Sequence, residues 1–362
     1  MRQRRRQECA NFCCTCCDRH KIHARMNAKA QSRQPRTRRL SAIVKRFPQV
    51  RALVIGDLML DRYIWGKVER ISPEAPIPVV RVTHESVHAG GAGNVVANIR
   101  ALGSRVVACG VVGKDQAGQR LRHQLATLGA EVQGVVTSRS SITTSKTRII
   151  AHNQQVVRLD REERDAFDAR VRAQLRRFIQ QHIADFQVVI ISDYDKGVID
   201  AELLTLLSEL RGQQEFVYLI DPKRRNFPHY RGATLVKPNR EEAGIAAGIE
   251  IRDERDLNEA GARLLHLWQT EAVLVSRSEE GMSLFKPQAK PQHFPTTTRE
   301  VHDVTGAGDT VVATCALALG VGASLEEATI LANHAAGVVV GKVGTATVSP
   351  TELLSALQQE ST

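Results

Sequence analysis

From residue 51 onward, short apolar runs rich in β-branched residues alternate with amphipathic segments. Within each run the apolar residues are consecutive, whereas a strand with one face in water alternates apolar and polar residues. Consecutive apolar residues indicate strands buried on both faces, as in a parallel sheet with helices on both sides. The sequence therefore predicts the α/β fold class, with a doubly wound, mostly parallel sheet. The six predicted strands are 52–55, 105–111, 188–191, 217–220, 234–236 and 272–275.

Five of the predicted strands are followed directly by polar residues. In an open parallel sheet, the ligand crevice lies beyond the carboxyl ends of the strands. We therefore expect these polar ends to converge on one binding site. They are 56–57, 192–193, 221–223, 237–239 and 276–278.

Two segments interrupt the alternation of strands and helices. Residues 62–85 and 142–160 mix charged, apolar and β-branched residues without a helical pattern. Such mixed segments are typical of a small sheet with one face in water. We predict a small antiparallel β-sheet lid, built from these two insertions, that covers the crevice. The alternative is that both segments are long loops.

Positive charge is concentrated at the N-terminus. Residues 1–40, here called the leader, hold 12 of the 50 lysines and arginines but 2 of the 39 acidic residues. The body, residues 41–362, is nearly neutral, with 38 basic and 37 acidic side chains. A groove that binds nucleic acid needs a concentrated basic surface. Nucleic acid is therefore not an expected partner of the body, and such a hypothesis rests on the leader alone.

Five of the seven cysteines also lie in the leader. They include two interleaved Cys-x-x-Cys pairs followed by two histidines, so zinc binding is one hypothesis. A structural zinc site, however, draws its ligand pairs from separated elements that the metal then joins. We therefore expect a disordered basic extension, or a translated stretch upstream of a natural start such as Met26. The residues concerned are Cys9, Cys13, Cys14, Cys16, Cys17, His20 and His23.

The two cysteines of the body, Cys109 and Cys315, are far apart in the sequence and have apolar neighbours. Unpaired cysteines of this kind are typical of reducing compartments. The longest weakly polar stretch, 310–323, is too short to span a bilayer, and no apolar segment follows the N-terminal arginines. The sequence predicts a cytoplasmic protein without a membrane anchor or a signal peptide.

A glycine-containing segment, Asp303-Val304-Thr305-Gly306-Ala307-Gly308-Asp309, precedes a run of small and apolar residues, 310–319, that predicts a helix. Gly306 and Gly308 allow a tight turn with outward-pointing amides, and the helix start adds its positive dipole. This arrangement is typical of an anion-binding nest. The adjacent carboxylate of Asp309 could take a proton from an attacking hydroxyl while the amides stabilise a transferring phosphoryl group. The alternative is that Asp309 only caps the helix.

Segment 303–309 resembles the C-terminal signature of the ribokinase-like, or PfkB, carbohydrate kinases. Further matches to this family run from about residue 51 almost to the C-terminus. The resemblance implies a ribokinase-like fold and ATP-dependent phosphorylation of a sugar hydroxyl. It makes Asp309 the catalytic base, beside a nest formed by Gly306, Ala307 and Gly308.

Two segments near the start of the body resemble the sugar-binding elements of this family. In Gly56-Asp57-Leu58-Met59-Leu60-Asp61, the last residue takes the position that contacts sugar hydroxyls. In Gly90-Gly91-Ala92-Gly93-Asn94, the glycines let the backbone approach the sugar and the asparagine hydrogen-bonds it. A glycine run alone could equally be a turn before the helix predicted at 95–102. The implied sugar-binding residues are Asp61, Gly90, Gly91 and Asn94.

The resemblance also implies a site for ATP and Mg²⁺, with a monovalent cation as a further candidate. Asn239-Arg240-Glu241-Glu242 looks like the family's Asn-x-x-Glu element. Asn239 and Glu242 would then help to place the phosphates and the magnesium, the latter held by Glu242 directly or through water. The alternative is a helix start with Asn239 as its cap and Glu242 as the capping-box partner.

Two further elements resemble the family's nucleotide-binding parts. A strand-end loop that touches ATP is matched at Ser276 and Arg277, although Ser278 stands where glycine is common. Residues 324–327 predict a capping box at the start of a helix that contains Asn333. The family places adenine beside this helix, so Asn333 is the implied contact.

Within the family, several stretches resemble the kinases of D-glycero-β-D-manno-heptose 7-phosphate. The resemblance implies transfer of the ATP γ-phosphoryl group to the anomeric hydroxyl. The product would be the 1,7-bisphosphate, for ADP-heptose and lipopolysaccharide core biosynthesis. The stretches are 56–63, 70–80, 153–160, 192–197 and 333–348.

A phosphorylated sugar requires Lys or Arg at the far end of the pocket. The candidates are Arg148, Arg158 and Lys196, in segments predicted to line or cover the crevice. Asp195 replaces the small residue that usually precedes this lysine. Its carboxylate could weaken the pairing of Lys196 with phosphate, or orient the lysine.

Two other functions remain open at this point. One is a kinase of the same fold for another sugar or sugar phosphate, against which the heptose-like lid segments argue. The other is a non-enzymatic protein that binds nucleic acid or metal through the leader. The family's lids often mediate dimer contacts, so a sugar phosphate and a second copy, in a homodimer, are the expected partners. Since no His-x-Gly-His element precedes Thr362, we expect a stand-alone kinase whose adenylyl-transferring partner is another protein.

Overall fold

The computed structural model describes residues 36–152, 154–163, 167–297, 303–342 and 344–359. The cysteines and histidines of the leader lie outside these ranges, so the zinc hypothesis concerns residues that the structure does not describe. The strands, in chain order, are β1 (Arg51–Gly56), β2 (Leu58–Ile71), β3 (Pro78–Gly91), β4 (Arg105–Gly113), β5 (Glu131–Ser138), β6 (Ser145–Ala151), β7 (Gln154–Arg161), β8 (Val188–Ser192), β9 (Val217–Asp221), β10 (Leu235–Val236), β11 (Val273–Ser276), β12 (Met282–Phe285) and β13 (Gln292–Phe294).

A nine-stranded sheet has the order β13-β12-β11-β10-β9-β8-β1-β4-β5. The strands from β11 to β5 in this order are parallel, and β12 and β13 add an antiparallel edge. All six strands predicted from consecutive apolar residues belong to the parallel part. The mostly parallel sheet is therefore confirmed.

Helices cover both faces of this sheet. The side chains of β1 alternate between two apolar cores, with Ala52 and Val54 on one side and Leu53 and Ile55 on the other. The doubly wound arrangement explains why the strands are apolar at consecutive positions. The helices are α1 (36–46), α2 (Ala92–Ala101), α3 (Gln116–Thr127), α4 (Ala169–His182), α5 (Ala201–Gln213), α6 (Arg240–Ala247), α7 (Glu254–Trp268), α8 (Ala307–Gly320), α9 (Leu325–Val340) and α10 (Pro350–Gln359).

The two insertions form a separate sheet in the order β3-β2-β6-β7. Strands β2 and β3 form one antiparallel hairpin and β6 and β7 another, as the sequence predicted, so the long-loop alternative is wrong. The central pair, β2 with β6, is parallel, which corrects the expectation of a wholly antiparallel sheet. The reason is that the first strand of each hairpin leaves the central body in the same direction.

Helix α1 crosses residue 40, where we placed the boundary between leader and body. Leu40, Ile43 and Val44 are buried in the same apolar core as α8 and α9. Arg39 forms an ion pair with Glu327, at the start of α9. Residue 40 thus packs with the body. Among the described residues, no helix is both long enough and apolar enough to cross a membrane.

Candidate active site

The glycine-containing segment turns sharply into α8. Gly306 is the residue before the helix and has φ +81, a left-handed conformation that glycine adopts without strain. Asp303 fixes the preceding turn, because its carboxylate accepts hydrogen bonds from the amides of Thr305 at 2.9 Å and Gly344 at 3.0 Å. The amides of a first helical turn have no acceptor within the helix. The Ala307 amide, however, donates to the carbonyl oxygen of Val304 at 3.2 Å, so it is not free for an anion. The next amides of the turn, at 308 and 309, remain for an anion-binding nest.

Asp309 lies in this first turn and is buried, with 5% of its surface exposed. One carboxylate oxygen accepts a hydrogen bond from Asn94 Nδ2 and the other from the Tyr194 hydroxyl, both at 2.7 Å. The residue before the helix is Gly306, and no side chain caps it, so the alternative of Asp309 as a helix cap is wrong. The carboxylate faces other parts of the chain and not its own helix.

The environment of Asp309 suits a base that works near neutral pH. Burial raises the pKa of its carboxyl to about 6, and the negative charge of Asp221 adds to this rise. The hydrogen bonds from Asn94 and Tyr194 and the charge of Lys237 oppose the rise. At pH 7 the group is mostly ionised, yet it is more basic than an exposed aspartate.

Tyr194 was not predicted from the sequence, although it lies in the stretch 192–197. Its hydroxyl donates to Asp309, and its own amide donates to Asp57 at 2.8 Å. Asp57 accepts two more backbone hydrogen bonds, from Lys196 and Val198, both at 3.1 Å. Burial and the neighbouring Asp193 carboxylate raise the pKa of Asp57 to about 7. Asp57, which we expected to line the crevice, thus holds the loop that carries Tyr194.

Replacing Tyr194 by Phe should move the acidic limb of the pH–kcat profile to higher pH. The hydroxyl stabilises the ionised form of Asp309, so its removal should raise the pKa of this carboxyl. A hydrogen bond to a charged group contributes about 1.5–3 kcal/mol, which corresponds to a movement of roughly one pH unit or more. Tyr218→Phe is the matched control, since this core tyrosine of β9 lies outside the contacts of Asp309. Superimposable profiles for the Tyr194 variant and the native protein would contradict this role.

The residues assigned to the sugar by resemblance lie close to one another. A Cβ atom added at Gly90 would stand 2.1 Å from Asp61 Oδ2, and one at Gly306 would stand 2.6 Å from Asn94 Nδ2. Gly91, with φ +56, precedes α2. Asp61 and Asn94 are both buried, and Asn94 connects this group to Asp309. The structure therefore brings together the predicted sugar-binding residues Asp61, Gly90, Gly91 and Asn94.

Basic side chains share one face of the lid. Strand register places Lys146 opposite Asp61, and places Arg148 opposite both Tyr63 and Arg158. Residues two apart on a strand point to the same side, so these cations and Asp61 share a face. Arg148 Nη1 donates to Asp61 Oδ1 at 2.7 Å.

Lys146 is a basic residue of this face that the sequence prediction missed. Burial and the positive charge of Lys196 lower the pKa of Lys146. Its sequence signal was its spacing of two residues from Arg148 within the segment 142–160, which was predicted to contribute to the lid sheet. Arg158 also lies on this face, but its side chain is half exposed and contacts Asp160 at 2.9 Å.

Lys196 pairs with Glu162 at 2.8 Å and not with the adjacent Asp195. The Asp195 carboxylate instead lies 3.9 Å from Arg225. Asp195 has φ +57, a left-handed conformation that is uncommon for residues other than glycine. The departure from the family at Asp195 therefore leaves the ammonium group of Lys196 without a direct contact from that carboxylate.

On the nucleotide side, the capping alternative is confirmed for Asn239 and Glu242. The Asn239 side chain accepts from the Glu242 amide at 2.8 Å, and Glu242 Oε2 accepts from the Asn239 amide at 2.9 Å. Glu242 Oε1 contacts Lys223. Because both carboxylate oxygens are occupied, Glu242 fits a magnesium ion held through water better than one held directly. In the part of the chain that the structure describes, no group of three or more His, Cys, Asp or Glu side chains forms a metal cluster.

The nucleotide candidates line two different cavities. Asn239, Ser276 and Ser278 line a cavity of about 600 Å³ at the start of α6. Ser278 has φ +52, which explains why glycine is common at this position. Arg277 does not line this cavity, since its guanidinium donates to Ser283 at 3.0 Å and pairs with Glu280.

Asn333 lines a second cavity, of about 330 Å³. Its Nδ2 donates to the carbonyl oxygen of Pro295 at 2.7 Å, and its helix α9 begins with the predicted capping box. The walls include residues of α1, which lies N-terminal to the predicted strands. The lining residues are Arg36, Thr37, Leu40, His293, Phe294, Pro295, Thr297, Ile330, Asn333, His334 and Leu357.

Comparison with known proteins agrees with the resemblance seen in the sequence. A family model described as pfkB family carbohydrate kinase matches residues 50–352. Two curated relatives, from Geobacter metallireducens and Geobacter sulfurreducens, are each named Bifunctional protein HldE. Each is 49% identical over 308 residues, which are 85% of this chain and 63% of the relative. The chain thus spans less than two thirds of the length of these relatives.

Solved structures with the same fold include two kinases. One is phosphofructokinase-2 from Escherichia coli, in complex with potassium, with a TM-score of 0.71 and 20% sequence identity. The alignment covers 86% of this chain and 99% of the phosphofructokinase chain. The other is ribokinase from Arabidopsis thaliana, complexed with ribose and ATP, with a TM-score of 0.66 and 19% sequence identity. This alignment covers 85% of this chain and 99% of the ribokinase chain. At these identities the similarity concerns the fold alone. The predicted ribokinase-like fold is confirmed.

Proposed function

The chain belongs to the pfkB family of carbohydrate kinases, and we propose that it transfers the γ-phosphoryl group of ATP to a sugar hydroxyl, with Asp309 as the base. The observation that carries the proposal is the buried Asp309 carboxylate. It lies in the first turn of α8, is held by Asn94 and Tyr194, and has a pKa raised to about 6. Such a group can take the hydroxyl proton as the oxygen attacks phosphorus, while the first-turn amides stabilise the transferred charge.

The substrate in this proposal is D-glycero-β-D-manno-heptose 7-phosphate, phosphorylated at its anomeric hydroxyl to the 1,7-bisphosphate. Asp61 and Asn94 would hold the sugar hydroxyls beside Asp309. The basic face of the lid supports a substrate with a second phosphate, because strand register places Lys146, Arg148 and Arg158 on one face together with Asp61. The heptose-like stretches of the sequence support the same sugar, and with it a place in ADP-heptose and lipopolysaccharide core biosynthesis.

We assign ATP to the other side of the site. Asn333 and the cavity of about 330 Å³ would take the adenine. Asn239, Glu242 and Ser276 would lie toward the phosphates. Magnesium, when bound, neutralises phosphate charge, and Glu242 would hold it through water. A monovalent cation stays a candidate cofactor from the family resemblance, as does a cytoplasmic location.

A homodimer through the lid is part of the same proposal. Val157 and Leu159 alternate with Arg158 along β7, so they lie on the lid face opposite the basic one. Both are exposed, as are Ile71 and Ile77 at the tip of the first hairpin. Exposed apolar side chains grouped on one element are typical of a surface that another protein covers.

The direct test is phosphorus NMR of the purified protein with ATP, magnesium and the heptose 7-phosphate. Fructose 6-phosphate and ribose are supplied in parallel reactions. A new anomeric phosphate signal with the heptose alone is the expected result. Turnover of fructose 6-phosphate or ribose instead would retain the kinase chemistry and overturn the choice of sugar.

Replacing Lys146 by Met should raise the KM for heptose 7-phosphate by about ten- to hundredfold, because a hydrogen bond to a charged group contributes about 1.5–3 kcal/mol. The KM for unphosphorylated heptose should stay unchanged, since that sugar lacks the second phosphate. Lys67→Met, at an exposed lysine of the same sheet, is the matched control. An equal rise of KM for both sugars in the Lys146 variant would mean that the lysine supports the lid and does not bind the phosphate.

A further inference from the structure

Lys237 is a buried cation at the centre of the site that the residue assignments above do not use. It directly follows β10 and is 5% exposed. Its Nζ lies 3.0 Å from Asp221 Oδ1, at the end of the neighbouring strand β9. Burial alone would lower the pKa of Lys237, but the carboxylates of Asp221, Glu242 and Asp309 raise it. The side chain is therefore a permanent positive charge at neutral pH.

The ammonium group of Lys237 faces the first turn of α8. A Cβ atom added at Gly308 would stand 3.2 Å from Lys237 Nζ. The first turn of a helix carries a partial positive charge on its free amides. The ammonium group of Lys237 and the positive end of α8 thus lie close together, beside the carboxylate of Asp309. The carboxylate of Asp221 partly neutralises the charge of the lysine. An anion between the lysine and the helix start would be attracted by both positive centres.

We propose that Lys237 is a catalytic residue that contacts the non-bridging oxygens of the transferred phosphoryl group, with Asp221 as the positioning residue that holds its ammonium group. This inference rests on the proposed kinase function. In the transfer, the sugar oxygen forms a bond to the γ-phosphorus and its proton passes to Asp309. The bond between the γ-phosphorus and the β–γ bridging oxygen breaks, and that oxygen leaves on ADP. Lys237 keeps its protons and stabilises charge on the group in transit.

The position of Lys237 also explains the glycine at 308. Any side chain there would approach the ammonium group to 3.2 Å at its first carbon atom. The space between the lysine and the helix backbone would then be closed to a phosphoryl oxygen. The sequence prediction assigned Gly308 to the turn and to the anion-binding nest, and its short approach to Lys237 gives it a further role in leaving this space open.

The test compares nucleotide binding by the native protein with that by Lys237→Met, using calorimetry with ADP and with a non-hydrolysable ATP analogue. A contact with the third phosphate predicts a Kd for the analogue about tenfold higher or more, with the Kd for ADP nearly unchanged. Turnover of the sugar should fall on the order of a hundredfold, as for loss of one donor to a transferred charge. The acidic limb of the pH–kcat profile should move to higher pH, because Lys237 opposes the rise in the pKa of Asp309.

Two further variants complete the experiment. Lys237→Gln retains a hydrogen-bond donor to Asp221. If the Met variant is not recovered folded, the same calorimetry with ADP and the analogue is carried out on the Gln variant. Lys290→Met, at an exposed lysine between β12 and β13, controls for loss of a positive charge and should behave as the native protein.

The outcomes separate this inference from the kinase proposal. Equal loss of affinity for ADP and the analogue, or no loss for either, would overturn the role of Lys237. If the native protein phosphorylates no sugar but Lys237 still distinguishes the analogue from ADP, the contact with the third phosphate stands and the proposed function fails.

Discussion

Replacing Asp309 by Asn should lower turnover by on the order of a hundredfold or more, with little change in ATP affinity. An amide has nearly the shape of a carboxylate but cannot accept the hydroxyl proton, so one positioned general base is lost. The amide oxygen can still accept from Tyr194, and rotation of the Asn94 amide restores the second hydrogen bond, now with Asn94 as acceptor. The variant should therefore remain folded. Steady-state kinetics measure the turnover, and calorimetry with a non-hydrolysable ATP analogue measures the nucleotide affinity.

Asp168→Asn is the matched control for this variant. Asp168 caps α4, far along the chain from Asp309, and its carboxylate accepts from the Val171 amide at 2.9 Å. Asparagine caps helices about as well as aspartate, so the control should retain native turnover. Near-native turnover in the Asp309 variant would refute its assignment as the base.

Replacing Gly90 by Ala should strongly weaken sugar binding. The new Cβ would stand 2.1 Å from Asp61 Oδ2 and 2.8 Å from its Cγ, so the Asp61 carboxylate has to move. That movement breaks the 2.7 Å hydrogen bond to Arg148 and removes the carboxylate from the sugar. With at least two charged hydrogen bonds disturbed, the KM for the sugar should rise by about a hundredfold or more. ADP affinity should change little.

Gly212→Ala provides the comparison for this change. Gly212 lies in α5, and a Cβ added there meets no atom within 4 Å. Alanine favours a helix over glycine by about 0.5–1 kcal/mol, so this variant should have native kinetics and a slightly higher Tm. A native KM for the sugar in the Gly90 variant would mean that Asp61 does not bind the sugar in its observed position.

The central sheet could be predicted from the sequence because burial on both faces leaves a clear local signal. Residues 52–55 and 188–191 are apolar at every position, and both form central strands. The direction of pairing in the lid could not be predicted in this way. Whether β2 and β6 lie parallel depends on how the two hairpins leave the body, and no local pattern records that direction.

The candidate site shows the same difference between residues with a local sequence signal and residues whose role depends on contacts across the fold. Asp309 and Asn94 lie in short segments with characteristic residues, so resemblance to the family was sufficient to name them as candidates. Tyr194 and Lys146 are functional candidates because of contacts across the fold. Tyr194 lies 115 positions from Asp309 in sequence. It follows β8, whose last residue pairs with the last residue of β1. For Asn239, local sequence allowed two interpretations, and its side-chain hydrogen bond confirmed the cap.

The connection between the body and the lid restricts how chimeras between this chain and other family members can be built. Asp57 alone separates β1 from β2, and its carboxylate holds the amides of Tyr194, Lys196 and Val198. In a chimera that takes its lid from another kinase at this point, the residue at position 57 and the 192–198 loop that it holds would come from different parents. Recombination between family members should therefore succeed when the first lid hairpin and the 192–198 loop come from the same parent, and fail when they come from different ones.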